Sequence, residues 1–253
     1  MDLTSAGYTK GLNREAPWDS FDSRAYHQHN YAFLRKEDQE IIEAVRDYFC
    51  EHFRKHPDRP DSGIDVGAGT NLYPALSLLP WCSNITLYEH SVENVLWLER
   101  EVAAFSANWG AFWEVFTERP EYRAVSDPRG AVASAAAVGK GDLFDLPRER
   151  WGIGTMFFVA ESMSTAYREF EGAVAAFARA LTPRAPFAAA FMENSQGYQV
   201  GDLLFPACGV DAKDVRGALA PFAEDLRISR VGLPEDPIRS GYTGMILACG
   251  RRG

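Results

Sequence analysis

A glycine turn between a predicted strand and a predicted helix is the first feature of this sequence that could bind a ligand. Residues 62–73 read SGIDVGAGTNLY. The apolar residues up to Val66 predict a buried strand, and a helix is expected from Leu72 onward. Between them, Gly67 and Gly69 permit a tight turn whose backbone N–H groups favour a carboxylate, a phosphate or a ribose. Glycine turns also join strands to helices in proteins without such a ligand, so the turn alone leaves both interpretations open.

An acidic residue follows this turn at the distance expected of a nucleoside site. Residues 84–90 (NITLYEH) alternate as a strand does and place Glu89 about 20 residues after the glycines, where a parallel β–α–β unit brings a carboxylate under a ribose. The third glycine of the dinucleotide motif is missing, and Asp65 inside the first strand would repel a pyrophosphate. The two features therefore favour S-adenosylmethionine (SAM), with its zwitterionic amino acid end, over a dinucleotide.

A second acid stands at the end of another predicted strand. The apolar run 154–160 has the length of a strand, and Glu161 follows it directly. Ligands of parallel sheets lie beyond the carboxyl ends of the strands, so Glu161 is expected to face the site. The alternative is a helix cap before the predicted helix 168–181, although Ser164 and Thr165 lie closer to that position.

Other polar residues have both a functional and an ordinary explanation. Asp142 and Leu143 could form the edge of an adenine pocket or a solvated turn. His27 and His29 lie in the aromatic-rich arm 1–35, which we expect to be helical. On a helix the two histidines point about 200° apart and cannot share a metal, and no acid or cysteine nearby completes a ligand set, so no metal site is predicted.

Composition limits the class of protein. The chain has 253 residues, 46% of them hydrophobic, which predicts one domain with additions. The net charge of −9 argues against nucleic acid as a partner. Four scattered cysteines are expected to be buried thiols in a reducing compartment. No leader is recognised and the apolar runs are too short to cross a bilayer, so we expect a cytoplasmic protein without a membrane partner.

The remaining sequence alternates between helix and strand patterns. Helices are predicted at 36–56, 92–105 and 168–181, an inserted helix within 106–129, and a further helix capped by Asp211. Strands are predicted at 186–192, 226–231 and 242–249, with a weak third strand within 131–141. The last two strands are expected to form an antiparallel pair at the edge of the sheet.

These segments, taken in order, resemble the small-molecule methyltransferase family that includes phenylethanolamine, nicotinamide and indolethylamine N-methyltransferases. The resemblance covers most of the chain. On the cofactor side, the resembling segments are FDSRAY with Asn30 and Tyr31, DVGAGTNLY at 65–73, and ITLYE at 85–89 with Asn94 and Trp97-Leu98. On the substrate side, they are Glu161 ahead of Phe170 and Leu181-Thr182-Pro183, and Ser195 and Tyr198 before Gly201.

The resemblance implies a fold and a set of roles. The fold is α/β, a Rossmann-like, seven-stranded, mostly parallel sheet with helices on both faces. It would comprise a lid of residues 1–35 and a methyltransferase domain of residues 36–253. Tyr26, Tyr31 and Tyr73 would close over the methionine end of SAM, and Glu89 would bind the ribose hydroxyls. The other implied cofactor residues are Gly67, Ala68, Gly69 and Asn71 in the loop, Asn94 beside Glu89, and Asp142 and Leu143 at adenine.

The sequence departs from the family on the acceptor side. Family members that methylate amines carry further acids or amides where this chain has Phe191, Ser195, Ser240 and Gly241. We therefore expect a monomeric SAM-dependent enzyme whose acceptor is a small aromatic or heteroaromatic metabolite methylated at nitrogen, with S-adenosylhomocysteine (SAH) as product. Glu161, His29 and Tyr26 are the candidate catalytic residues. Methylation of an indole-type carbon or of an oxygen in a natural product, a Rossmann oxidoreductase, and a SAM-binding paralogue without catalysis remain alternatives.

Overall fold

A mostly parallel sheet forms the centre of the computed structural model, which describes residues 11–232 and 237–253. The strands are β1 Ser62–Val66, β2 Asn84–Glu89, β3 Ala136–Lys140, β4 Gly154–Phe157, β5 Pro186–Glu193, β6 Tyr198–Val200, β7 Leu203–Phe205, β8 Ala223–Gly232 and β9 Gly244–Arg252. Seven of them form one sheet in the order β3-β2-β1-β4-β5-β9-β8. The strands from β3 to β5 are parallel, whereas β9 runs antiparallel to both β5 and β8. The predicted fold class is confirmed.

Helices cover both faces of this sheet. They are α1 Ser23–Asn30, α2 Lys36–Lys55, α3 Tyr73–Leu76, α4 Val92–Ala104, α5 Trp109–Phe116, α6 Pro120–Arg123, α7 Pro128–Ala135, α8 Tyr167–Ala180 and α9 Ala212–Leu219. Alternate residues of β5 enter two separate apolar cores. Ala188 and Ala190 pack in the core that contains α2 and α5, whereas Phe187 and Phe191 pack in the core that contains α8 and α9. A strand buried on both faces explains the continuous apolar run in this segment.

Several predicted elements have different bounds in the structure. The weak third strand is present only from Ala136, because Asp127 caps a helix that takes up the preceding alanines. The helix expected after the glycine turn is a single turn, α3. The two-stranded β6–β7 hairpin was not predicted, since strands of three residues are too short to show a period.

Three smaller expectations concern caps, cysteines and membrane spans. Asp211 caps α9 by accepting hydrogen bonds from the backbone N–H groups of Lys213 and Asp214, as predicted. The thiols of Cys50, Cys82, Cys208 and Cys249 are buried and free, also as predicted. Among the described residues, no helix has the length and apolar character needed to cross a membrane.

The strand order places a crevice beside the carboxyl end of β1. The chain continues from β1 to β2 and β3 on one side, then returns to β4 and β5 on the other. The loops that follow β1 and β4 therefore diverge, and they leave a crevice between them. The glycine turn and Glu161 both lie at this end of the sheet.

Candidate functional site

The turn after β1 has a conformation that requires glycine. Gly67 and Gly69 have φ angles of 66° and 56°, in the left-handed region that side chains disfavour. A Cβ on Gly67 would lie 2.5 Å from Cγ2 of Val159, which follows β4. The N–H of Gly67 donates to the carbonyl oxygen of Tyr88 at 2.7 Å. The turn is therefore held tightly between the ends of β2 and β4.

Glu89 fixes the other side of this turn. Its Oε1 accepts hydrogen bonds from the N–H groups of His90 and Ser91 at 2.7 and 2.8 Å, and its Oε2 accepts one from Gly69 at 2.8 Å. Burial raises the pKa of Glu89, against the lowering effect of these three N–H donors. A carboxylate oxygen can accept more than one hydrogen bond, so Oε2 keeps capacity to accept a hydroxyl from a ligand beside the Gly69 N–H.

A cavity opens directly above the turn, and we call it the main cavity. It is lined by ten of the predicted cofactor residues, namely Tyr26, Tyr31, Gly67, Ala68, Gly69, Asn71, Glu89, Asn94, Asp142 and Leu143. Tyr73 does not line it; its buried ring lies behind Tyr31, with 6.2 Å between the ring centroids. The structure thus brings together residues from four separate sequence segments.

Sequence reasoning missed other lining residues of the main cavity. Thr70, Tyr88 and Ser162 contribute polar groups, and Phe157, Phe158 and Val159 follow one another along the end of β4. Phe158 has a φ angle of 61°, a conformation that is uncommon outside glycine and recurs at functional sites. No local pattern signals it. The Thr70 hydroxyl and the Asn71 amide nitrogen are buried and have no hydrogen-bond partner among the described residues.

The described part of the arm, residues 11–35, covers the main cavity. Its helix α1 begins where the side chain of Asp22 accepts a hydrogen bond from the Ala25 N–H. Ser23 Oγ donates to Asn94 Oδ1 at 2.7 Å, which ties the arm to α4. Trp18, Phe21, Tyr26 and Tyr31 line the cavity from this side. These side chains restrict the contact of a bound ligand with water.

A second, smaller cavity adjoins the main one. Tyr26, Tyr31, Phe158 and Ser162 line both cavities. The second cavity is completed by Asn30, Arg35, Asp38, Met192, Ile238, Arg239 and Met245. It therefore lies between the arm, the start of α2 and the carboxyl end of β5, on the side away from the glycine turn.

Glu161 lies behind the wall of the second cavity. Its side chain is fully buried, and Oε1 accepts hydrogen bonds from Met192 N at 2.9 Å and from Ser162 Oγ at 3.1 Å. Oε2 has no partner in the described part of the chain. Burial raises the pKa of Glu161 to about 7, against the lowering effect of its hydrogen bonds and of Arg239. In this conformation the Glu161 carboxyl does not line the second cavity, but it is hydrogen-bonded to Ser162, which does.

The two lid histidines point away from the main cavity. His27 packs against Trp97, with 5.0 Å between ring centroids, and burial lowers its pKa. His29 is exposed, and its Nε2 lies 2.7 Å from the carbonyl oxygen of Ile238. Neither ring lines the main or the second cavity. Among the described residues, no group of three or more His, Cys, Asp or Glu side chains could hold a metal ion.

Asp65 does not act on a ligand as the sequence argument assumed. Its buried carboxyl accepts a hydrogen bond from Thr155 Oγ1 in β4 at 2.8 Å and does not line the main cavity. Burial raises its pKa to about 8, so the group is mostly protonated at neutral pH. A carboxyl in this state exerts little repulsion on a pyrophosphate, so Asp65 does not distinguish SAM from a dinucleotide as the sequence predicted.

The fold is shared with SAM-dependent methyltransferases of known structure. One from Clostridium acetobutylicum is 12% identical, with 90% of this chain and 96% of that chain covered and a TM-score of 0.55. Magnesium protoporphyrin IX methyltransferase from Synechocystis, solved with bound SAM, is 12% identical, with 93% of each chain covered and a TM-score of 0.53. One from Methanosarcina mazei is 11% identical, with 79% of this chain and 96% of that chain covered and a TM-score of 0.53. No family model matches the chain, and no curated protein matches its sequence significantly.

Proposed function

We propose that this protein is a SAM-dependent methyltransferase acting on a small aromatic or heteroaromatic metabolite, most directly at nitrogen. The observation that carries the proposal is the main cavity. It joins a glycine turn, a strand-end carboxylate and an aromatic arm at the switch point of the sheet. The shared fold agrees with this activity and does not by itself establish it.

The residues of the main cavity fit SAM group by group. Glu89 Oε2 would accept a ribose hydroxyl, and Asp142 with Leu143 would border the adenine. The unpartnered hydroxyl of Thr70 and amide of Asn71 are donors for a carboxylate. Gly67 lets the backbone approach the ligand without a side chain in between. A group with a ribose, a planar base and an amino acid end satisfies all of these positions.

The chain's part in methyl transfer is alignment and exclusion of water. Bound SAM supplies an electrophilic methyl group on a sulfonium. Tyr26 and Tyr31 line both cavities, so they border the path between donor and acceptor. Their rings exclude water and interact favourably with a positive charge. Holding the two reactants close and in line is the main requirement of such a displacement.

Glu161 acts on the acceptor through Ser162. The Ser162 hydroxyl lines both cavities and donates to Glu161 Oε1. An acceptor N–H placed beside Ser162 would donate to its oxygen, and a proton lost during transfer would pass along this pair to the ionised carboxylate. The same arrangement serves an indole-type carbon or a hydroxyl acceptor, which remain alternatives to nitrogen.

Two measurements test the proposal. Thermal shifts and calorimetry with SAM, SAH and NAD should give binding to the first two only. Transfer of a labelled methyl group from SAM to a panel of heteroaromatic amines, indoles and phenols should then identify an acceptor. Binding of NAD with no response to SAM or SAH would overturn the assignment.

A SAM-binding protein without catalysis is the second candidate. It is favoured by the position of Glu161, whose carboxyl lines neither cavity in this conformation. Tight binding of SAH without methyl transfer to any class in the panel would support this candidate over the enzyme. The affinity for SAH should then also be the same in Glu161→Gln as in the wild type.

A further inference from the structure

An open groove leads from the surface to the second cavity. It runs between α1 and the β6–β7 hairpin and has a volume of about 540 Å³. His29, Tyr198 and Gln199 line it. Three residues line both the groove and the second cavity, namely Tyr26, Asn30 and Arg239. Arg239 therefore lies where the groove adjoins the second cavity, while Tyr26 and Tyr198 line both the groove and the main cavity.

Among the described residues, the side chains in direct contact with the Arg239 guanidinium are neutral. It lies 4.8 Å from the ring centroid of Tyr198, and its Nη2 donates to Ser195 Oγ at 3.1 Å. Its Nε is buried and has no hydrogen-bond partner within residues 11–232 and 237–253. Over the same residues, no carboxylate lies within ion-pair distance of it. The buried Arg46 and the half-buried Arg251 do pair with carboxylates.

A guanidinium that forms no ion pair with the described residues is suited to bind an anionic group at this junction. Arginine presents a planar fork of donors that matches a carboxylate, and pairing becomes stronger where water is excluded. The chain carries a net charge of −9, so carboxylates to neutralise an arginine are abundant, yet within the described residues none lies at ion-pair distance from this one. Within the described part of the chain, the buried Nε–H lacks a hydrogen-bond partner, and a ligand oxygen would supply one.

We propose that the methyl acceptor is an aromatic or heteroaromatic carboxylate, which enters through the groove and binds Arg239 through its carboxylate group. The inference rests on the proposed function and specifies its substrate class. The second cavity, with a volume of about 20 Å³, suits a carboxylate better than a bulkier phosphate. With the carboxylate at Arg239, the ring extends towards Tyr26 and Ser162, which border the main cavity.

The test compares matched carboxylates and amides. Full-length protein saturated with SAH is titrated calorimetrically with benzoate and benzamide, nicotinate and nicotinamide, and indole-3-carboxylate and indole-3-carboxamide. The carboxylate of at least one pair should bind about tenfold or more tightly than its amide, as expected of a charge-assisted, bidentate hydrogen bond. Arg239→Gln should abolish the preference, and Arg239→Lys should retain only part of it.

Arg168→Gln is the matched control, because it changes the net charge equally at an exposed position of α8. It should keep the full preference.

Equal or tighter binding of every amide, a preference that survives in Arg239→Gln, or tighter binding of phenyl phosphate than of benzoate would overturn the inference. The affinity for SAH is measured first in each protein. Loss of SAH binding in the wild type would contradict the proposed function, whereas SAH binding without a carboxylate preference contradicts this inference alone.

Discussion

Glu89 performs two tasks with one carboxylate, and they can be separated by substitution. Three backbone N–H groups bind it, so it shapes the turn as well as offering Oε2 to a ligand. Glu89→Gln keeps one carbonyl oxygen and removes the charge. We predict that it weakens SAH binding by about 1.5 to 3 kcal/mol, the range for hydrogen bonds to a charged group.

Calorimetry with SAH measures this effect. Glu99→Gln, an exposed substitution on the neighbouring helix α4, is the control and should bind SAH as the wild type does. Unchanged affinity in Glu89→Gln would remove Glu89 from the cofactor site, even if the protein still binds SAH by other contacts.

Glu161 should give the reaction a pH dependence near neutrality. Burial raises its pKa to about 7, and only the ionised form accepts a proton through Ser162. Methyl transfer to the acceptor found in the panel should therefore increase as the pH rises through about 7. Glu161→Gln should lower the rate and flatten this profile, because glutamine does not titrate.

The carboxyl carbon of Glu161 provides a readout that needs no acceptor. In protein labelled with ¹³C at the glutamate side-chain carboxyl, one resonance should titrate near pH 7 and be missing in Glu161→Gln. A Glu161 resonance that titrates near the ordinary value of 4.5 would contradict both the pKa and the pH profile derived from it.

At the scale of elements, the arm must open for a ligand to enter the main cavity. Trp18, Phe21 and Tyr26 cover the cavity, while Ser23 and Asn94 tie the arm to α4. We predict that SAH slows amide hydrogen exchange across residues 11–31, since a bound ligand stabilises the closed arm. Helix α9, which packs against α8 and β8, is the internal reference and should exchange equally with and without SAH. Equal exchange of the arm in both states would argue against a lid.

Local patterns were sufficient to predict the elements that frame the site. Gly67 and Glu89 could be recognised because a turn and a strand end leave signatures within a few residues. The resemblance to a methyltransferase family then implied the seven-stranded, mostly parallel sheet. Helix α7 was not predicted, because its alanines show neither the period of a helix nor that of a strand. Asp127 can be recognised as the cap only once the helix is known to begin there.

Contacts between distant segments could not be predicted in the same way. Glu161 accepts a hydrogen bond from the backbone N–H of Met192, 31 residues later. This contact helps to hold the carboxyl behind the residues that line the second cavity. Arg239 stacks on Tyr198 across 41 positions, and neither residue has a spacing that suggests the other. The depth of a side chain depends on which elements pack over it, and a single sequence does not contain that information.

At the scale of the whole molecule, the charge near the site differs from the formal charge. The net charge of −9 counts every acid as ionised. Burial raises the pKa of Asp38 and Glu161 to about 7 and that of Asp65 to about 8, and all three lie near the carboxyl ends of the central strands or the second cavity. At neutral pH these three acids therefore carry less than their formal negative charge, which lowers the repulsion of an anionic acceptor beside Arg239.

The same buried acids make the stability of the fold depend on pH. The pKa of Asp65 in the folded state, about 8, lies above its ordinary value of 3.8, so the unfolded chain releases this proton first as the pH rises. The contribution of Asp65 is fully present below pH 3.8 and is lost as the pH rises through about 8. Within that interval, each pH unit lowers the free energy of unfolding by up to about 1.4 kcal/mol.

Asp65→Asn should remove this dependence, because asparagine does not ionise and its Oδ1 still accepts the hydrogen bond from Thr155. We predict that the variant gains stability relative to the wild type as the pH rises from 5 to 8, measured by urea unfolding at each pH. Asp61→Asn, an exposed substitution just before the same strand, should follow the wild type throughout. A stability difference between Asp65→Asn and the wild type that stays constant from pH 5 to 8 would mean that Asp65 is already ionised in the folded protein. The sheet would then hold a negative charge beside the turn, and the repulsion of a pyrophosphate would again distinguish SAM from a dinucleotide.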